Sequence, residues 1–203
     1  MDHKDFLKEG TVDEIIFEKC SKLLNDSKII VSAQTSLEIL NKINKIILLN
    51  SSKKIIFGKD FKYEKTQNGF NFIDNSGSLS LPKPNLLGDH QYENISTAIA
   101  TVKELDQFKV NPSHIITALS KIKIEGRLQK ISKGKLRNYI SNNNEIILDG
   151  GHNTLAASVL TKYLDTLDKN KKIYMILGMM ANKDHANFIK QFKNKLNLII
   201  AID

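Results

Sequence analysis

The chain is poor in the residues that would place it outside the ordinary intracellular globular class. Its 203 residues include one cysteine, Cys20, and no tryptophan, and only 7% are aromatic. One thiol can close no internal disulfide and build no four-cysteine zinc site, which fits a reducing compartment. The N-terminal MDHKDFLKEG has no apolar core, so it does not read as a signal peptide. No apolar run approaches the roughly 18 residues that span a bilayer. Arginine is nearly absent: of 30 basic residues only Arg127 and Arg137 carry a guanidinium. The net charge of +8 therefore lies on scattered lysines mixed with Asn and Ile. Bidentate recognition of phosphate and base edges favours the planar arginine fork, so no specific nucleic-acid partner is expected. A hydrophobic fraction of 41% with 26% charged residues is a globular composition, long enough to bury a core without metal or disulfide.

Periodicity gives the organisation. Val12, Ile15, Ile16 and Leu23 predict a helix over Thr11–Leu24, capped by Thr11 or Asp13. Lys28–Ala33 reads as a strand and Ser36–Asn44 as a second helix. Short runs with turn signals follow (KIILLNS, KKIIFG, GFNFID and SLSLP), read as small strands and hairpins. After Pro82 and Pro84, the spacing of Ile95, Ile99 and Val102 defines a helix from about His90. Asn111-Pro112-Ser113 opens another, through about Leu119. IKIEGRLQKI is strand-like and interrupted at Gly126, and a domain boundary falls near Lys123–Gly126. Beyond it, EIILD, KIYMILG and LIIAID alternate with amphipathic helices over Thr154–Leu167 and His185–Lys195. That βαβαβ rhythm predicts a parallel α/β sheet.

Ligands of open α/β sheets sit beyond the carboxyl ends of the strands. One such end is Asp149-Gly150-Gly151-His152-Asn153. The aspartate can accept from ribose hydroxyls, and the glycines let a ligand approach the backbone. The same residues also suit a tight βα turn with Asn153 as helix cap. A second end leads to Asn182-Lys183-Asp184. Asn94, in the first turn of its helix, offers the donor and acceptor that pair with an adenine edge, or a plain capping residue. Arg127 follows a glycine at the domain boundary, a suitable place for a phosphate contact. No G-x-G-x-x-G is present, which disfavours dinucleotide redox chemistry.

Read in order, the chain shows an early DH…EK, then LLGDHQYEN, GRLQ at 126–129, LDGGHN at 148–153 and an L-G-x-x-x-x-K-D over 177–184. This series resembles the Mur ligase superfamily, most closely its folylpolyglutamate synthase/dihydrofolate synthase branch. The resemblance implies an α/β protein. Residues 1–124 would be part of a P-loop-type ATPase (central) domain, and residues 125–203 a Rossmann-like C-terminal domain, with ATP bound between them. It implies ATP-dependent ligation of L-glutamate to dihydropteroate or folate glutamates through an acyl phosphate, with ATP and Mg²⁺ as cofactors. By the same resemblance Asn94 would contact adenine, Arg127 the ATP phosphates and Asp149 the ribose. His3 would help hold Mg²⁺, and Lys19 would be the catalytic, carbamylated lysine and a metal ligand as its carbamate. His152, Asn153, Lys183 and Asp184 would face the glutamate side. A cytoplasmic monomer without membrane attachment is expected.

The chain departs from the family pattern in three places: Cys20-Ser21-Lys22 for Ala-Gly-Ile, Gly151 for Ala and Asn182 for Asp. The longer stretch between Arg127 and Asp149 suggests an extra hairpin around Lys133–Asn144. None of the ten glycines opens a G-x-x-x-x-G-K-[ST] phosphate loop. The chain is therefore expected to be a fragment truncated at both ends and inactive alone. The competing readings are another Mur-type ligase, of peptidoglycan or cyanophycin type, and a non-catalytic adenine-nucleotide-binding module.

Overall fold

The computed structural model describes residues 11–21, 27–33, 36–48 and 53–202. They form two compact units. One holds the described residues up to Asn85 together with Asp89–Lys123; the other holds Leu86–Gly88 and the chain from Ile124 onward.

In the first unit, α1 covers Val12–Cys20, with Thr11 Oγ1 accepting the Glu14 amide at 3.2 Å as the predicted cap. The predicted C-terminal end of this helix, at Leu23 and Leu24, lies outside the described residues. Strand β1 (Ile29–Val31) pairs in parallel with β2 (Lys54–Ile56), bridged by α2 (Leu37–Leu48). The run KIILLNS, expected as a strand, begins inside that helix: Lys45–Leu48 extend α2. The reason is tertiary, because Leu40 and Ile43 pack with Ile56 on the buried Ile29 and Val31. A helical stripe already seated on a sheet continues for another turn more readily than it breaks into a strand.

An antiparallel meander follows: β3 (Phe61–Thr66), β4 (Gly69–Asp74) and β5 (Gly77–Pro82). Strand β3 was not legible as apolar, being FKYEKT. It is nonetheless an alternating strand: Phe61 is buried and Tyr63 half-buried, while Lys62 and Glu64 stay exposed. Phe70, Phe72 and Leu81 carry the buried face. Complete burial of such a side chain stabilises by roughly 1.5–3 kcal/mol. Helix α3 (His90–Lys103) packs on β1 and β3, and α4 (Pro112–Lys121) packs on β5. Both lie where the sequence predicts. Ile95 and Ile99 are the buried i,i+4 pair of α3, and Asn111 caps α4 with Pro112 in its first turn.

In the second unit, β6 (Gln129–Lys130) pairs antiparallel with β7 (Ile147–Leu148). The intervening segment carries a 3₁₀ turn, Lys135–Tyr139, where the extra hairpin is expected. EIILD therefore finds its described ladder in β6, not in the parallel sheet predicted for it. That parallel sheet is β8 (Tyr174–Leu177) beside β9 (Leu198–Ala201). Helices α5 (Thr154–Asp165) and α6 (His185–Lys190) cover one face of it through Ala157 and Phe188, joined by Phe192 from the turn after α6, packed on Met175 and Leu177. Helix α6 ends a turn early, and Asn194 then takes a left-handed φ of 62°. The opposite face leaves Tyr174, Ile176, Leu198 and Ile200 exposed. No helix of the described residues is long and apolar enough to cross a membrane.

Candidate functional site

The densest cluster of predicted site residues lies in the second unit, where two glycine-bearing turns are laced together. One is Gly126-Arg127-Leu128, leading into β6. The other is Asp149-Gly150-Gly151, leaving β7. Leu128 Nα–H donates to Asp149 Oδ2 at 2.7 Å, and Gly151 Nα–H donates to Asp149 Oδ1 at 2.7 Å. Gly150 Nα–H donates to the Gly126 carbonyl at 2.8 Å, and Gly126 Nα–H donates to Gln129 Oε1 at 2.9 Å. The short β6–β7 ladder sets the two turns side by side, with Gln129 opposite Leu148.

The Arg127 side chain is exposed and makes no hydrogen bond or ion pair among the described residues. Its guanidinium lies over the second turn: a Cβ built on Gly150 would sit 3.7 Å from Nη1. The other arginine is consumed by structure. Arg137 Nη1 donates to the Asn144 carbonyl at 2.9 Å and Nη2 to the Ser141 carbonyl at 3.3 Å, tying off the 141–144 turn.

The remaining predicted residues of this unit sit at the strand ends, but several are already occupied. Asn153 Oδ1 accepts the Ala156 amide at 2.8 Å and caps α5. Asp184 caps α6, accepting the Asn187 amide at 3.1 Å and its side-chain Nδ2 at 2.7 Å. Those two Asn187 bonds hold the Asp184 carboxyl below its ordinary range. His152 Nδ1 lies 3.1 Å from the Gly150 carbonyl. The Lys183 backbone amide donates to the Met180 carbonyl at 3.0 Å.

In the first unit, the HQYEN segment forms a relay along the first turn of α3. His90 Nε2 lies 2.9 Å from Gln91 Nε2, and Asn94 Nδ2 donates to Gln91 Oε1 at 3.3 Å. Gln91 is buried and Asn94 exposed, so an anchored amide orients a solvent-facing one. Beside it, a cleft of about 420 Å³ opens past the carboxyl ends of β1 and β2. It is lined by Ser32, Ser36, Phe57 and Glu93, among others. Sequence reading missed these residues. Their signal was position: Ser32 and Phe57 directly follow the two parallel strands, where α/β sheets hold ligands.

Lys19 lies in the last turn of α1, largely exposed, with Nζ 3.9 Å from Glu18 Oε2. His3 lies outside the described residues. No three His, Cys, Asp or Glu side chains converge among the described residues.

With this geometry in place, the comparisons are specific. Residues 126–203 match the family model described as Mur ligase, glutamate ligase domain, and the match begins at the Gly126 turn. The chain is 27% identical over 201 residues to a dihydrofolate synthase/folylpolyglutamate synthase of Buchnera aphidicola, covering 97% of this chain and 44% of that protein. It is 27% identical over 138 residues to the enzyme of the same name in Escherichia coli, covering 68% of this chain and 29% of that protein. Among solved structures, a folylpolyglutamate synthase complex with AMPPCP and folate superposes with a TM-score of 0.83 at 23% identity, covering all of this chain and 49% of that one. Escherichia coli FolC with DHPP and ADP gives 0.79 at 24%, covering 98% and 44%. The Mur ligase fold, mixed α/β with parallel and antiparallel sheets, is therefore shown. The chain spans about half the length of the curated relatives it matches.

Proposed function

We propose that this chain supplies nucleotide-binding surfaces to an ATP-dependent ligase that joins L-glutamate to dihydropteroate or a folate glutamate. The observation that carries the reading is the exposed guanidinium of Arg127, without a hydrogen bond or ion pair among the described residues, on two interlocked turns at the point where the glutamate ligase domain match begins. An exposed planar cation with open donors suits a phosphate. Arg127 would bind and orient the ATP phosphates and balance charge building on them as phosphoryl leaves for the substrate carboxylate. Asn94, oriented by Gln91, would present its carboxamide to the adenine edge. Residues 1–124 and 125–203 are read as the central-domain and glutamate-ligase-domain parts. His152 and Lys183, exposed and half-exposed, are read as facing the glutamate side. Asn153 and Asp184 act there through the helix starts they cap.

The described residues fit ATP better than the metal. Mg²⁺ requires hard oxygen donors, and no three His, Cys, Asp or Glu side chains converge among the described residues. Carbamylation of Lys19, with His3 as its companion ligand, is the reading that the motif resemblance supports. The test of the functional reading is calorimetric titration of the chain with ADP, ATP and NAD. Binding of the adenine nucleotides that falls at least tenfold in Arg127→Ala supports it. Binding of none of them, or equal binding by Arg127→Ala, overturns it.

A further inference from the structure

Arg127 stands between two residues of left-handed backbone, Gly126 at φ 65° and Leu128 at φ 46°. Glycine adopts that region freely, whereas leucine persists there only when its surroundings over-determine it. Here they do. The Leu128 side chain is buried, its amide is held by Asp149 Oδ2, and the preceding glycine is pinned at both its amide and its carbonyl. The other Asp149 oxygen holds the Gly151 amide, so one carboxylate ties the two turns together. Gly151 completes the fit. A Cβ there would come within 2.8 Å of both Asp149 Oδ1 and the Ala156 Cβ, so a side chain at 151 forces one or both of these neighbours to shift.

We propose that Asp149 is a positioning residue: its carboxylate locks the Gly126–Leu128 turn in the left-handed form that holds the Arg127 guanidinium over Gly150. The assignment rests on the nucleotide reading above and deepens it, because it routes the effect of Asp149 on nucleotide binding through Arg127. A direct ribose contact is the assignment it competes with. Gly151 is the second part of the lock, as the position whose lack of a side chain lets the carboxylate turn onto the backbone.

The test uses the chain as it is, with Asp149→Asn, Arg127→Ala and the double variant. Asparagine keeps the shape but can accept at only one terminal atom, so one of the two amides must lose its partner. Amide exchange at Leu128 and Gly151 is followed by NMR without nucleotide. Affinity is measured for ADP, 2′-deoxy-ADP and 3′-deoxy-ADP. The lock predicts faster exchange at one or both amides in Asp149→Asn. It also predicts a loss of roughly tenfold in affinity, equal for all three nucleotides and adding little to Arg127→Ala. Unchanged exchange overturns the lock. Losses that multiply in the double variant, or an Asp149→Asn protein that no longer distinguishes ADP from its deoxy forms, overturn it in favour of the ribose contact. If Asp149→Asn does not fold, Gly151→Ala serves, since it crowds the carboxylate while leaving it in the chain. It should weaken ADP binding without adding to Arg127→Ala, and full-affinity binding would contradict the proposal. Should the parent chain bind no ADP, the nucleotide reading fails, and amide exchange still decides the lock.

Discussion

The Asp149 carboxylate accepts the Leu128 amide at 2.7 Å across 21 residues of sequence. This contact makes two loops into one rigid feature. The carboxylate is half-buried and bound by two amides, so deleting it leaves both donors short of a partner. Asp149→Ala is expected to destabilise the second unit by about 1–3 kcal/mol, measured by urea unfolding followed through the tyrosines of that unit. A change within 0.5 kcal/mol would show that water replaces the carboxylate at no cost.

Asn153 and Asp184 separate capping from ligand contact. Their side chains accept the Ala156 and Asn187 amides. Asn153→Ala should cost about 0.5–2 kcal/mol of stability, while Asn153→Asp or Asn153→Ser should recover most of it. Thermal unfolding of the three variants tests this. A stable Asn153→Ala protein would leave the residue available for a direct binding role.

Gly69 stands opposite Pro82 in the β4–β5 ladder. A Cβ there would lie 2.0 Å from the Leu81 carbonyl oxygen, a backbone atom that cannot swing aside. Gly69→Ala should therefore destabilise the first unit by roughly 1–3 kcal/mol and speed amide exchange in β5. Slow, unchanged exchange would mean that the strands reseat at little cost.

Ser96 is fully buried in α3, and its hydroxyl has no hydrogen-bond partner among the described residues. Removing an unsatisfied buried hydroxyl removes its desolvation cost. Ser96→Ala is expected to raise the stability of the first unit by up to about 1 kcal/mol. A loss of stability would reveal a partner for that hydroxyl.

Acid should weaken the contact between Asp74 and Lys103. Burial raises the Asp74 carboxyl, but bonds from Lys103 and Ser76 outweigh it and hold the group below its ordinary 3.8. Its stabilisation is complete above the unfolded value near 3.8 and fades as pH falls through the lower folded value. Unfolding midpoints between pH 6 and pH 2 should show this loss in the parent chain and a smaller one in Asp74→Asn. Equal acid sensitivity in both would assign the effect to other carboxylates.

What the sequence disclosed divides by range. Local signals held: Thr11 before α1, Asn111-Pro112 before α4 and the i,i+4 stripe of Ile95 and Ile99 are read within one helical turn. The strand FKYEKT was hidden by its three charges, though its alternation was present. Lys45–Leu48 looked like a strand because an apolar run of four fits either period, and only packing on Ile29 and Val31 decides it. Of the candidate site, Asp149 was visible at a strand end and Arg127 after a glycine at the domain boundary. Their coupling was not, since it depends on a left-handed leucine and on a β6–β7 register spanning the inserted segment. The capping role of Asn153 was legible as a helix start beside its ligand-facing reading, whereas Asp184 was read only as ligand-facing and its cap on α6 emerges from the structure.

The most direct test compares ADP affinity in the parent chain, Arg127→Ala, Arg127→Lys and Arg137→Ala by calorimetry. A charge-assisted contact is worth about 1.5–3 kcal/mol, roughly ten- to a hundredfold in affinity. Arg127→Ala should show that loss. Arg127→Lys should recover only part of it, because the ammonium lacks the planar fork. Arg137→Ala should free the 141–144 turn and leave ADP affinity unchanged. A neutral Arg127→Ala, or a loss confined to Arg137→Ala, would contradict the account of Arg127 as the residue presented to phosphate.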